Sequence, residues 1–153
     1  MPDFQKLKEK IIHQLTELTE TTISEASSAI ASAKEARDNE SKSSAGDKYE
    51  TGRAMMQVEI EKYENQLQKT LFLKNELSKI NLAKKYGKVE NGSLVITDNE
   101  KYFISIGIGK IMIENENIYA ISLASPVGIL LKDKQAGDRI QLNGKEIMIR
   151  DII

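Results

Sequence analysis

"SKSSAGDKYETGR", residues 41–53, sits inside a stretch of 80 residues that otherwise reads as helix. Small residues (Ser43, Ser44, Ala45, Gly46) precede two acids three apart, Asp47 and Glu50. Serine competes with the helix ladder through its hydroxyl, and glycine has the most backbone freedom to lose, so the cluster favours a turn. Asp47 is an apt N-cap, and Glu50 three residues on completes a variant of the capping box. Acids there also meet the positive end of the helix dipole. Capping therefore accounts for the pair by itself. The stretch predicts the end of one helix, a turn, and a capped second helix.

On either side the pattern is helical. Residues 3–80 contain no proline and only two glycines, Gly46 and Gly52. In the first arm apolar residues recur at Phe4, Leu7, Ile11, Leu15 and Leu18, then at Ala26, Ala29, Ala33 and Ala36. In the second arm the stripe is Met56, Ile60, Tyr63, Leu67 and Leu71. Steps of three and four place each set on one helical face. Two arms with one apolar face each, joined by a short turn, should fold back as an antiparallel coiled-coil hairpin. An arm of roughly 33–36 residues is about 50 Å long at 1.5 Å per residue. Such a hairpin, with its tip at about 38–50, suits a spacer or dimerisation arm, or a probe that carries its tip to a distant place.

A composition shift near "INLAKKYGK", residues 80–88, divides the chain into 1–80 and 81–153. The second part holds the other seven glycines and many Ile and Val residues. Short runs of Ile, Val, Tyr and Phe between polar turns predict strands, with Asn91-Gly92 and Asn143-Gly144 as hairpin signals. "SPVGILLKDK", 125–134, differs: Ser125 is a plausible N-cap with Pro126 at the first helical position. A short helix over about 126–132 should cross one face of a mainly antiparallel sheet. Gly137-Asp138 reads as a structural turn. The fold class is α+β.

Composition narrows the chemistry. No apolar run approaches the roughly 18–20 residues that span a bilayer. The start "MPDFQKLKEK" does not resemble a signal peptide, so a cytoplasmic location is expected. Without cysteine there are no disulfides or thiolate sites. The single histidine, His13, lies deep in the first arm, so a three-histidine zinc site is impossible and a catalytic triad has no serine in the needed context. Residues 1–80 carry 12 basic and 14 acidic residues, and 81–153 carry 10 and 9. Neither part has the basic excess of an autonomous nucleic-acid binder.

Residue patterns along nearly the whole chain resemble the Gre family of bacterial transcript cleavage factors. "AIASAKEARD" (29–38) resembles the ascending helix that ends in an acidic tip residue, and Tyr49-x-x-x-Arg53 resembles the descending helix. "VENGSLVITDNEKYFISIGIG" is similar to the family's opening strands. "ISLASPVGILLKDKQAGDRIQLNGKEIMIRDI" resembles its Ser-Pro helix, Gly-Asp turn and closing hairpin.

The resemblance implies an FKBP-like second domain (81–153) that grips bacterial RNA polymerase at the rim of its secondary channel. Ser125, Pro126 and Val127 fall in the contact region. It implies that the hairpin enters the channel and that tip acids help hold a second Mg²⁺ shared with the polymerase active site. The factor is then no enzyme itself and binds no cofactor stably. It stimulates the polymerase's own cleavage of backtracked transcripts, meets the RNA 3′ end only within that complex, needs no membrane, and is monomeric when free. The family tip is Asp-x-x-Glu, and two registers compete here. Keeping the first arm aligned puts Asp38 on the family Asp, but Ser41 stands where Glu is required. Aligning Gly46-Asp47-x-x-Glu50 recovers both acids and loses Tyr49 and Arg53. Asp47 and Glu50 are the first metal-assisting candidates, with Asp38 and Glu40 behind them. A tip with four acids also suits a channel-binding relative that inhibits without cleavage. Two other classes stay open: a prolyl isomerase or chaperone, which would need a pocket from Tyr86, Tyr102, Phe103 and Tyr119, and a coiled-coil adaptor.

Overall fold

The computed structural model describes residues 3–42 and 46–153, with side chains outside 40–49. Two helices come first, α1 (Phe4–Lys42) and α2 (Gly46–Ser78). Six strands follow: β1 (Leu94–Thr97), β2 (Lys101–Ile104), β3 (Gly109–Ile113), β4 (Glu116–Ile121), β5 (Arg139–Leu142) and β6 (Lys145–Ile152). A short helix, α3 (Pro126–Leu131), lies between β4 and β5. The chain is α+β, as its periodicities predict. Residues Thr16–Asn75 form one compact unit, and Glu76–Ile153 with the described residues up to Leu15 form a second.

In the first unit α1 and α2 run antiparallel. Arg37 Nη1 donates to Gln57 Oε1 at 2.9 Å, and Lys74 pairs with Glu20 at 3.4 Å. Moving 17 residues up α1, from Glu20 to Arg37, moves 17 residues down α2, from Lys74 to Gln57, as antiparallel register requires. The buried seam includes Thr19, Ala26 and Ala33 of α1 and Ile60 and Thr70 of α2. Two expected seam residues are displaced from it: Leu18 is 43% exposed and Leu71 41%. Thr19 and Thr70, their neighbours, are buried instead. A hydroxyl can sit there because it bonds to its own helix: Thr19 Oγ1 donates to the Thr16 carbonyl and Thr70 Oγ1 to the Gln66 carbonyl, both at 2.8 Å. Counting apolar residues alone passes over such threonines.

In the second unit the strand order is β3-β4-β2-β1-β6-β5. Four pairings are antiparallel, and β2–β4 is parallel. Alternation sends Val95 and Tyr102 to one face and Leu94 and Phe103 to the other. Val95 and Tyr102 pack with Ile104, Ile147, Ile149 and Leu131 of α3. Leu94 and Phe103 are fully buried too, so both faces are covered. The start of α1 is tied to this unit. Fully buried Lys8 donates from Nζ to the Ile153 main-chain oxygen at 3.0 Å, and Gln5 Nε2 donates to the Leu82 carbonyl at 2.8 Å.

Asn143-Gly144 makes the β5–β6 turn with both residues at positive φ, 52° and 77°, as its sequence predicts. Asn91-Gly92 is a turn, but no strand precedes it; it leads into β1, whose partners are β2 and β6. The tight β3–β4 turn is Glu114-Asn115, also at positive φ, a pair with no glycine to announce it.

Candidate functional site

The acids proposed for the tip flank the junction of the two helices. Asp38 lies four residues before the end of α1, and Glu50 four residues after the start of α2. Each is thus about one turn, roughly 6 Å, from its helix end. Both are exposed. Asp38 Oδ1 is 3.5 Å from Arg37 Nε, so this carboxylate has a cation beside it, and the same guanidinium reaches across to Gln57. Glu50 borders a surface concavity on α2 with Thr51, Ala54, Met55 and Val58. Glu40 falls within α1 and Asp47 within the first turn of α2, but their side chains lie outside the described residues. Exposed carboxylates are the hard oxygen donors that Mg²⁺ takes. Among the described residues no three His, Asp or Glu side chains gather.

The Ser-Pro segment is built as a cap. Ser125 has extended backbone, φ −68° and ψ 158°, and its Oγ accepts from the Gly128 N–H at 3.0 Å. The same hydroxyl donates its one proton to the Ser122 carbonyl at 2.7 Å. Pro126 takes the first helical position, where a missing N–H costs nothing. Val127 packs against the core and Ser125 is half-buried, so of the three candidates Pro126 is the exposed one.

Sequence reasoning passed over Gly128. A Cβ there would stand 2.1 Å from the Ser122 carbonyl oxygen and 2.9 Å from the Leu123 Cα. Only a glycine lets α3 lie this close to the segment that links it to β4, and Leu131, three residues on, is buried in the core. Two further residues of α3 face outward, Ile129 at 64% exposure and Leu130 at 37%. Their helical phase relative to Leu131 was the available signal.

Lys8 was also missed. Its ammonium lies 4.4 Å from the Tyr86 ring centroid, and Lys84 stands 5.0 Å from the same ring. Burial, and secondarily the Lys84 charge, lower the Lys8 pKa to about 8. Lys84 is held by Glu90, whose hydrogen bond raises its pKa. Burial raises the Tyr86 phenol. No local pattern could have announced Lys8, because its main-chain partner is 145 residues away.

Tyr102 and Phe103 are core residues on opposite faces of the sheet, and Tyr102 packs against Tyr119 with ring centroids 5.7 Å apart. Phe103 therefore cannot line one pocket with Tyr102 and Tyr119. Gly137 is at φ +93°, and Asp138 Oδ2 accepts from the Gln135 N–H at 2.7 Å, so the Gly-Asp pair is a structural turn.

No family model matches the sequence, and no curated protein sequence matches it. A solved structure described as that of the transcription factor Gfh1 is similar over 92% of this chain and 92% of its own, at 16% identity and a TM-score of 0.34.

Proposed function

We propose that this chain is an accessory factor of bacterial RNA polymerase that enters the secondary channel with its helical hairpin and promotes cleavage of backtracked transcripts. The observation that carries this reading is the ordered set Ser125-Pro126, the short helix α3 and Gly137-Asp138, the pattern that resembles the Gre family. Ser125 caps α3, Pro126 opens it, and Gly137-Asp138 makes a turn. Exposed acids beside the α1–α2 junction support the second half of the reading. In that role the second unit anchors to the channel rim through Pro126 and its surroundings. The hairpin acids supply carboxylate oxygens, Asp47 and Glu50 first, with Asp38 and Glu40 as the alternative set. A Mg²⁺ held jointly with the polymerase, when bound, activates the attacking water and offsets charge on the phosphoryl oxygens. The chain contributes ligands and position, and the polymerase contributes the rest of the site.

The test is transcript shortening in backtracked complexes of the cognate polymerase with Mg²⁺. Shortened RNA that appears only with the factor supports the proposal. Binding with slowed elongation and no shortening would replace it with an inhibitory channel binder. Failure to bind polymerase at all would leave a coiled-coil adaptor.

A further inference from the structure

Beyond the Ser-Pro segment, α3 and the edge of the sheet form a second surface feature. Strand β5 pairs with β6 on one side and, among the described residues, has no strand on the other. Alternate main-chain N–H and C=O groups of an edge strand face outward and can accept another strand. Beside this edge lies a groove of about 400 Å³. Its floor includes the exposed apolar side chains of Ile129 and Leu130, and its rim carries Lys132, Lys134 and Arg139. No acid lines it. Of the nearest acids in sequence, Asp133 pairs with Lys88 at 3.2 Å and Asp138 bonds within its own turn, whereas Glu146 pairs with Arg139 of the rim at 3.0 Å. With Arg139 compensated by Glu146, Lys132 and Lys134 give the groove its positive charge, beside the exposed aliphatic side chains of Ile129 and Leu130.

We infer that this groove is a docking site for an extended acidic segment of a partner protein, which pairs with the free edge of β5 and sets alternate apolar side chains against Ile129 and Leu130. The three features select different properties of the occupant. The free edge asks for extended backbone, the cations ask for carboxylates, and the exposed isoleucine and leucine ask for aliphatic side chains at a spacing of two. A nucleic-acid strand would satisfy the charge, but the groove lining offers no aromatic side chain on which bases could stack. The site does not depend on the polymerase reading: the acids at the hairpin and the Ser-Pro cap take no part in it.

The experiment uses the full chain labelled with ¹⁵N and a set of eight-residue peptides alternating Asp or Glu with Val, Ile or Leu. We expect saturable binding that weakens with salt, with shifts confined to residues 128–134 and 139–142. Lys132→Glu with Lys134→Glu should weaken it at least about tenfold, and Ile129→Ser should weaken it separately. All three positions are exposed, and an unchanged amide spectrum elsewhere will show that the fold survives. N-methylation of alternate peptide amides should abolish binding in one phase and spare it in the other, which a purely electrostatic contact would not do. The inference is overturned if none of the peptides binds, if lysine-substituted peptides bind equally, or if N-methylation in either phase has no effect. It is also overturned if single-stranded RNA or vesicles of anionic lipid bind this groove more tightly than the peptides, or if concentration-dependent shifts show that a second copy fills it.

Discussion

At the scale of single residues, stability turns on close approach and on one buried charge. Gly128→Ala places a methyl against the Ser122 carbonyl, a backbone atom that cannot rotate away. We expect a loss of about 2–3 kcal/mol, in the usual range for overpacking, read as a lower urea midpoint. Ser125→Ala removes the cap without a clash and should cost about 1 kcal/mol. Lys8 makes the pH prediction. Its folded pKa, about 8, lies below its ordinary 10.5, so between these values the unfolded chain binds more protons. Stability contributed by this group therefore rises as pH increases from 8 toward 10.5. Tyr86 and Tyr102 oppose it near and above their ordinary value of 10, because burial raises their pKa and the folded state then holds protons the unfolded state has lost. Urea titrations from pH 7.5 to 9.5 should show stability rising for the native chain and a flatter profile for Lys8→Met. A lysine that stays charged without cost would give parallel profiles.

At the scale of elements, the hairpin seam mixes alanines, an isoleucine and two self-bonded threonines. The carbonyls that Thr19 and Thr70 bond belong to their own helices, so removing a hydroxyl leaves no isolated partner. Thr70→Val keeps the shape and adds an apolar methyl to the seam, and it should be neutral or stabilising by up to about 1 kcal/mol. Thr70→Asn, which brings a larger polar group into the same space, should destabilise. Equal loss from both would mean that the hydroxyl bond itself holds the seam together. The stripes in the sequence predicted both helices and most of their inner faces, through Ile11, Leu15, Ala26, Ala33 and Ile60. They failed at Leu18 and Leu71 because apolarity and helical phase disagree there, and phase decides which side chain meets the partner helix. The strand alternation and the Asn143-Gly144 turn were legible for the same local reason. The Glu114-Asn115 turn was not, since nothing in those residue types demands positive φ.

At the scale of the whole molecule, the proposed function makes the tip register a measurable choice. If Asp47 and Glu50 supply the ligands, Asp47→Ala with Glu50→Ala should lower transcript cleavage at least about tenfold and leave polymerase binding unchanged, while Asp38→Ala should have little effect. The reverse outcome selects the Asp38 register. The factor with Mg²⁺ but without polymerase should leave the RNA intact. The ion pair between Asp38 and Arg37 gives that carboxylate a structural task. Function must therefore be read from cleavage, and stability measured beside it.

The sequence by itself determined what is local: two amphipathic helices, a strand-rich second part, the Ser-Pro cap, the Gly-Asp turn, and the absence of thiol or histidine-cluster chemistry. Helical phase, turn residues and capping act within a few positions, so they can be read without a fold. Tertiary structure alone decided the burial of Lys8, the need for glycine at position 128, the threonines in the seam, and the basic groove beside the free edge of β5. Each of these depends on groups distant in sequence, or on the space left between elements once they pack, and neither is written in any short stretch of residues.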